Sequence, residues 1–62
     1  MTLDEFERKL RYKFSTKEMV DVYPVVSKYG LWGEFIHSYH SAMDRGMTHP
    51  SAIYYALNEW DL

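Results

Sequence analysis

The stretch that decides the fold is Leu31-Trp32-Gly33-Glu34-Phe35-Ile36-His37-Ser38-Tyr39-His40-Ser41-Ala42-Met43-Asp44-Arg45-Gly46, followed by Met47-Thr48-His49-Pro50. Trp32, Phe35, Ile36, Tyr39, Ala42 and Met43 recur at three- and four-residue spacing and make one continuous apolar face. Glu34, His37, Ser38, Ser41, Asp44 and Arg45 fall mostly opposite. The spacing predicts a helix over Leu31 to Arg45, stopped by Gly46. Thr48 is an N-cap residue, and Pro50 suits a first helical turn, where its missing N–H is no loss. Ile53, Ala56, Leu57 and Trp60 then form a second stripe, with Ala52 beside it. About four residues join the two stripes, a length that favours an antiparallel helical hairpin. The small Ala42, Ala52 and Ala56 allow its backbones a close approach.

Outward toward the N-terminus, Thr2-Leu3-Asp4-Glu5 and Ser15-Thr16-Lys17-Glu18 both fit the capping box, in which a hydroxyl and a glutamate satisfy each other's backbone amides. Leu3, Phe6, Leu10 and Phe14 share a helical spacing, so helix one is expected from Leu3 to Phe14. Its acidic residues come early and its basic ones late, as the helix dipole favours. Met19, Val22, Tyr23, Val26 and Tyr29 define helix two. Pro24 interrupts it, so the expectation there is a kinked helix. Gly30 fits a left-handed helix end. The fold class is thus all-α: three or four short helices with a C-terminal antiparallel hairpin, in one domain over 1–62.

The chain has 62 residues, a formal net charge of −2, 18% aromatic residues and no cysteine. A chain of this length buries only about 60% of its unfolded surface, so its core is small. Disulfides and thiolate zinc sites are excluded. No apolar run reaches the ~20 residues that cross a bilayer, and the acidic start lacks the apolar stretch of a signal peptide. The cytoplasm is the expected location, and no membrane partner is expected.

Candidate chemistry is sparse. Glu34, His37, His40 and Asp44 lie three or four apart and could share a helix face. Their order lacks the H-E-x-x-H spacing of zinc helices, so a solvated face with pairings such as His40 to Asp44 is expected, with no metal or cofactor. Ser38 and Ser41 fit the same exposed polar pattern. Acyl transfer would also need an orienting group and oxyanion donors. No enzymatic activity is expected.

Two binding surfaces stand out. Arg8, Lys9, Arg11, Lys13 and Lys17 form a basic run with Tyr12 and Phe14 interleaved, a composition compatible with nucleic acid. Acidic residues flank it, and the remaining sequence from Leu31 holds one basic residue against four acidic ones, which makes nucleic acid the lesser expectation. The stronger lead is the aromatic surplus of the second half. Tyrosine and tryptophan are enriched at interfaces, and exposed parts of Trp32, Tyr39, Tyr54, Tyr55 and Trp60 are the expected contact with a protein partner. That partner is either unidentified or a second copy of the chain, since a homodimer could complete a core too small for one chain.

The C-terminal half, from Leu31-Trp32-Gly33-Glu34-Phe35 through Met43-Asp44-Arg45-Gly46-Met47-Thr48-His49-Pro50-Ser51-Ala52 to Ala56-Leu57-Asn58-Glu59-Trp60-Asp61-Leu62, resembles small accessory proteins from the early regions of lambdoid bacteriophages. The resemblance is one of pattern: an aromatic helix, a glycine, a proline-started helix and a Trp-Asp-apolar close. It implies a role in modulating a host or phage process through protein contacts, and it carries no catalytic motif.

Overall fold

A computed structural model describes all 62 residues as four helices: α1 (Leu3–Lys9), α2 (Thr16–Tyr29), α3 (Trp32–Asp44) and α4 (His49–Glu59). There is no strand, and the class is all-α. Both capping boxes form. The Thr2 and Ser15 hydroxyls accept from the amides of Glu5 and Glu18, whose carboxylates accept in return. Thr48 Oγ1 accepts from Ser51 N, and Pro50 stands in the first turn of α4. Gly30, at φ 65°, closes α2. Its own amide donates to Ser27 O and the next one to Val26 O, the paired contacts of a left-handed helix end.

Helix one is shorter than the periodicity predicts. It stops at Lys9, where Leu10 turns extended at ψ 127°. The Leu3, Phe6, Leu10, Phe14 spacing still marks burial correctly for Phe6, Leu10 and Phe14. A tertiary contact overrides the local preference: the Arg11 amide donates to His40 Nε2, at 3.1 Å, instead of to a carbonyl one turn back. A non-helical, bent segment over 10–15 then lets Phe14 reach the rings of Tyr39 and His49, with centroids 5.0 and 4.9 Å away. So short a helix holds little stability of its own, so packing decides where it ends.

α2 runs unbroken through Pro24. Proline deprives the Val20 carbonyl of its helical donor. Val20 is 64% exposed and Pro24 is exposed too, so that side of the helix faces solvent, where water can serve the carbonyl.

α3 and α4 pack directly on each other. Arg45 meets Tyr55 and Ser38 meets Trp60, nested contacts that run the two helices in opposite directions. The seam lies where the small residues are. Ala42, Ala52 and Ala56 are fully buried, whereas Ile53 and Leu57 are only half-buried at its edges. Around it the core collects Phe6, Leu10, Phe14, Met19, Val22, Val26, Phe35 and Tyr39 into one cluster. Ala56→Leu should therefore force the hairpin apart and destabilise the fold by about 1–3 kcal/mol, read as a lowered urea midpoint. Leu57→Ala, at the edge, should cost less than burial of a full core leucine implies.

Candidate functional site

The aromatic residues of the second half divide into those the core consumes and those it leaves outside. Tyr39, expected to be partly exposed, is fully buried, and so is unavailable as a contact residue. Its ring lies 6.1 Å from Phe35, nearly parallel, and edge-on to Phe14. Its hydroxyl sits 2.7 Å from His49 Nδ1. On the other side of that imidazole, Nε2 lies 3.0 Å from Glu18 Oε2, a close contact without the alignment of a good hydrogen bond. Burial pushes the Tyr39 phenol up to about 12, with Tyr12 and Glu18 adding to the effect. The backbone N–H of Ser15 holds the Glu18 carboxyl below its ordinary range, and His49 contributes. Nothing in the periodicity marks His49 for this role, because its neighbours Thr48 and Pro50 already account for the helix start. The surface has four concavities, and none is lined by Tyr39, His49 or Glu18. These contacts tie α2, α3 and α4 together.

Ser38, expected on the exposed face, is also buried, and its hydroxyl accepts from the indole N–H of Trp60 at 2.9 Å. The Trp32 indole donates to Ser27 Oγ at 3.2 Å. Both tryptophans therefore have their polar edge satisfied inside the chain, which leaves Trp32 half-buried and Trp60 at the margin of exposure. Tyr55 is half-buried beneath the Arg45 guanidinium, 4.8 Å above its ring. Tyr54 stands alone: it is 72% exposed. Tyr54 and Tyr55 form one wall of a groove of about 390 Å³, whose other lining residues are Met47, Pro50, Ser51 and Asn58.

The polar residues of α3 also depart from expectation. Asp44 pairs with Arg11, at 3.2 Å, and not with His40. His40 is half-buried and accepts the Arg11 amide, and desolvation together with the Arg11 charge lowers its pKa. Glu34, His37, His40 and Asp44 do not converge into a group that could hold a metal ion.

The basic run is split. Arg11 is held by Asp44, and Lys17 pairs with Asp21 at 3.7 Å. Arg8 and Lys9 end α1, and Lys13 lies in the segment between α1 and α2 beside Arg11 and the exposed Tyr12. None of these three cations has a carboxylate within ion-pair distance.

Compared with family models, curated proteins and solved structures, the chain has no match in any of the three. No helix is long and apolar enough to cross a membrane.

The lowered His40 and Glu18 pKa values set the response to acid. Each folded-state value lies below its ordinary one, 6.5 and 4.5 respectively, so the unfolded chain takes up protons first. Stability is fully present above pH 6.5, is lost as the pH falls through the folded-state pKa of His40, and falls further below 4.5 as Glu18 and, at the surface, Glu5 follow. Thermal melts across pH 3–8 should show this two-stage loss. His40→Gln, which keeps an acceptor for the Arg11 amide, should flatten the upper stage alone.

Proposed function

We propose that this chain is a small protein-binding module whose contact surface is the outer side of α4, centred on Tyr54. The observation that carries the reading is the contrast among the aromatic side chains. Trp32, Tyr39 and Trp60 each have their polar group bonded within the chain, and Tyr55 carries Arg45 on its ring. Tyr54 has no such partner and projects beside a groove that begins at Met47 and Pro50. A rigid aromatic next to a partly apolar depression is the usual form of an interface anchor, because it adds contact area at little conformational cost. The partner surface accordingly shrinks from the five residues expected to Tyr54 and Tyr55, with Trp60 and Trp32 at its borders.

The partner is another protein or a second copy of this chain. A phage-type accessory role, acting inside a host cell, is the setting implied by the pattern of the C-terminal half. Nucleic acid is the alternative, favoured by one observation: Arg8, Lys9 and Lys13 are unpaired and stand near an exposed tyrosine. Electrostatic attraction of that kind would be steeply salt-dependent.

Two variants separate the readings. Tyr54→Ala should leave the melting temperature nearly unchanged, because the side chain is mostly exposed, and should abolish capture of the partner from host lysate or, for self-association, shift sedimentation to the monomer. Lys9→Glu with Lys13→Glu should leave both unaffected. The reverse result, loss of a salt-sensitive oligonucleotide complex in the charge variant alone, would put the function on the basic segment.

A further inference from the structure

The bent segment after α1 and the polar face of α3 border a second, open concavity, of about 590 Å³, lined by Arg11, His37, His40, Ser41, Asp44 and Arg45. No apolar side chain contributes, in a chain that is 47% hydrophobic. The two guanidinium groups come from separate elements and are fixed differently. Arg11 is positioned through its backbone, whose N–H donates to His40 Nε2. Its side chain touches Asp44 through one nitrogen only, with Nη2 at 3.3 and 3.2 Å from the two carboxylate oxygens, so Nε and Nη1 have no protein acceptor. Arg45 uses Nε on the Ser41 carbonyl, at 3.4 Å, and rests its face on Tyr55, which leaves both terminal nitrogens free.

The Arg11–Asp44 pair does not close the site. Its side chains are 54% and 57% exposed, and a solvated ion pair of that kind is worth only about 0–1 kcal/mol. It also engages a single guanidinium nitrogen instead of the two-nitrogen fork that gives such pairs their strength. An incoming oxyanion can therefore share Arg11 or take it over. Two arginines against one carboxylate leave the concavity with an excess of positive charge, although the molecule as a whole is acidic. Two guanidiniums from separate elements, each with free nitrogens, suit an anion whose charge is spread over several oxygens.

We propose that this concavity binds a phosphoryl oxyanion between Arg11 and Arg45, with His37 and Ser41 as further donors. The ligand is either a free phosphate group or the backbone phosphate of a nucleic acid. The site is distinct from the Tyr54 surface, although Arg45 borders both, so the two assignments stand or fall separately.

The test is a titration of the full chain with inorganic phosphate at constant ionic strength, followed by proton–nitrogen NMR of the backbone, arginine and histidine resonances. Saturable shifts at Arg11, His37, Ser41 and Arg45 are expected, with none at Lys28, which lies on α2. Arg45→Gln should weaken the apparent affinity about tenfold, the loss that follows removal of one charge-assisted contact. Arg11→Ala should do the same, with Arg45→Gln carrying the test alone if loss of the Asp44 pair unfolds that variant. Tyr54→Ala should leave the titration unchanged. A short thymidine oligonucleotide distinguishes the two sources: displacement of phosphate from these resonances assigns a nucleic-acid backbone, and failure to displace it assigns a free phosphoryl group. Shifts that do not saturate, that are as large at Lys28 as at Arg11, or that survive Arg45→Gln would overturn the proposal.

Discussion

A phenol buried at the centre of so small a protein must find a hydrogen-bond partner there, and the structure is organised around meeting that demand. Tyr39 is fully buried, and leaving its hydroxyl unpaired would cost about 1–3 kcal/mol. His49 supplies the partner at 2.7 Å. It can do so only if the first turn of α4 lies against the middle of α3, so one polar contact helps set how the hairpin closes. His49 in turn touches Glu18, whose carboxylate also caps α2. Three helices thereby meet at one imidazole, with Phe14 packed edge-on against it.

The same demand explains which features were legible in the sequence. Caps and stops are local: Thr2, Ser15, Thr48 and Gly30 act within a few residues of themselves, and each works as its neighbours predict. Apolar periodicity is nearly local and predicted the helices of the hairpin to within a residue or two. The end of helix one is not local. Spacing shows that Leu10 and Phe14 are buried, but burial is compatible with a helix or with an extended segment, and the choice falls to a bond between Arg11 and His40, 29 positions apart. Ser38 and Tyr39 were misplaced for a related reason. Ser38 is polar by type yet sits where the Trp60 indole needs an acceptor, and Tyr39 is amphipathic by type yet sits at the centre of the core. Residue type gives the average preference, while a distant partner settles the individual case.

The aromatic surplus changes meaning once these partners are known. Counted along the chain, it suggests a core too large for one copy. Matched to partners, most of it is accounted for within one copy: Phe35 and Tyr39 by burial, Trp32 and Trp60 by indole hydrogen bonds, and Tyr55 by the guanidinium above it. The remainder is narrow. In the second half of the chain, Tyr54 is left as the aromatic with neither burial nor a bonded polar group to account for its position.

Arg45 links the two surfaces that remain. It follows the last turn of α3, where a cation also complements the negative end of the helix. Gly46, at φ 91°, turns the backbone immediately after it. One face of its guanidinium covers Tyr55 on the groove side, and its free nitrogens border the polar concavity shared with Arg11. A guanidinium stacked on a ring loses part of its rotamer freedom before any ligand arrives, so less entropy is lost when it binds one. The hairpin thus carries a stacked cation at the end of α3 and an exposed tyrosine on α4, the two side chains on which the proposed surfaces rest.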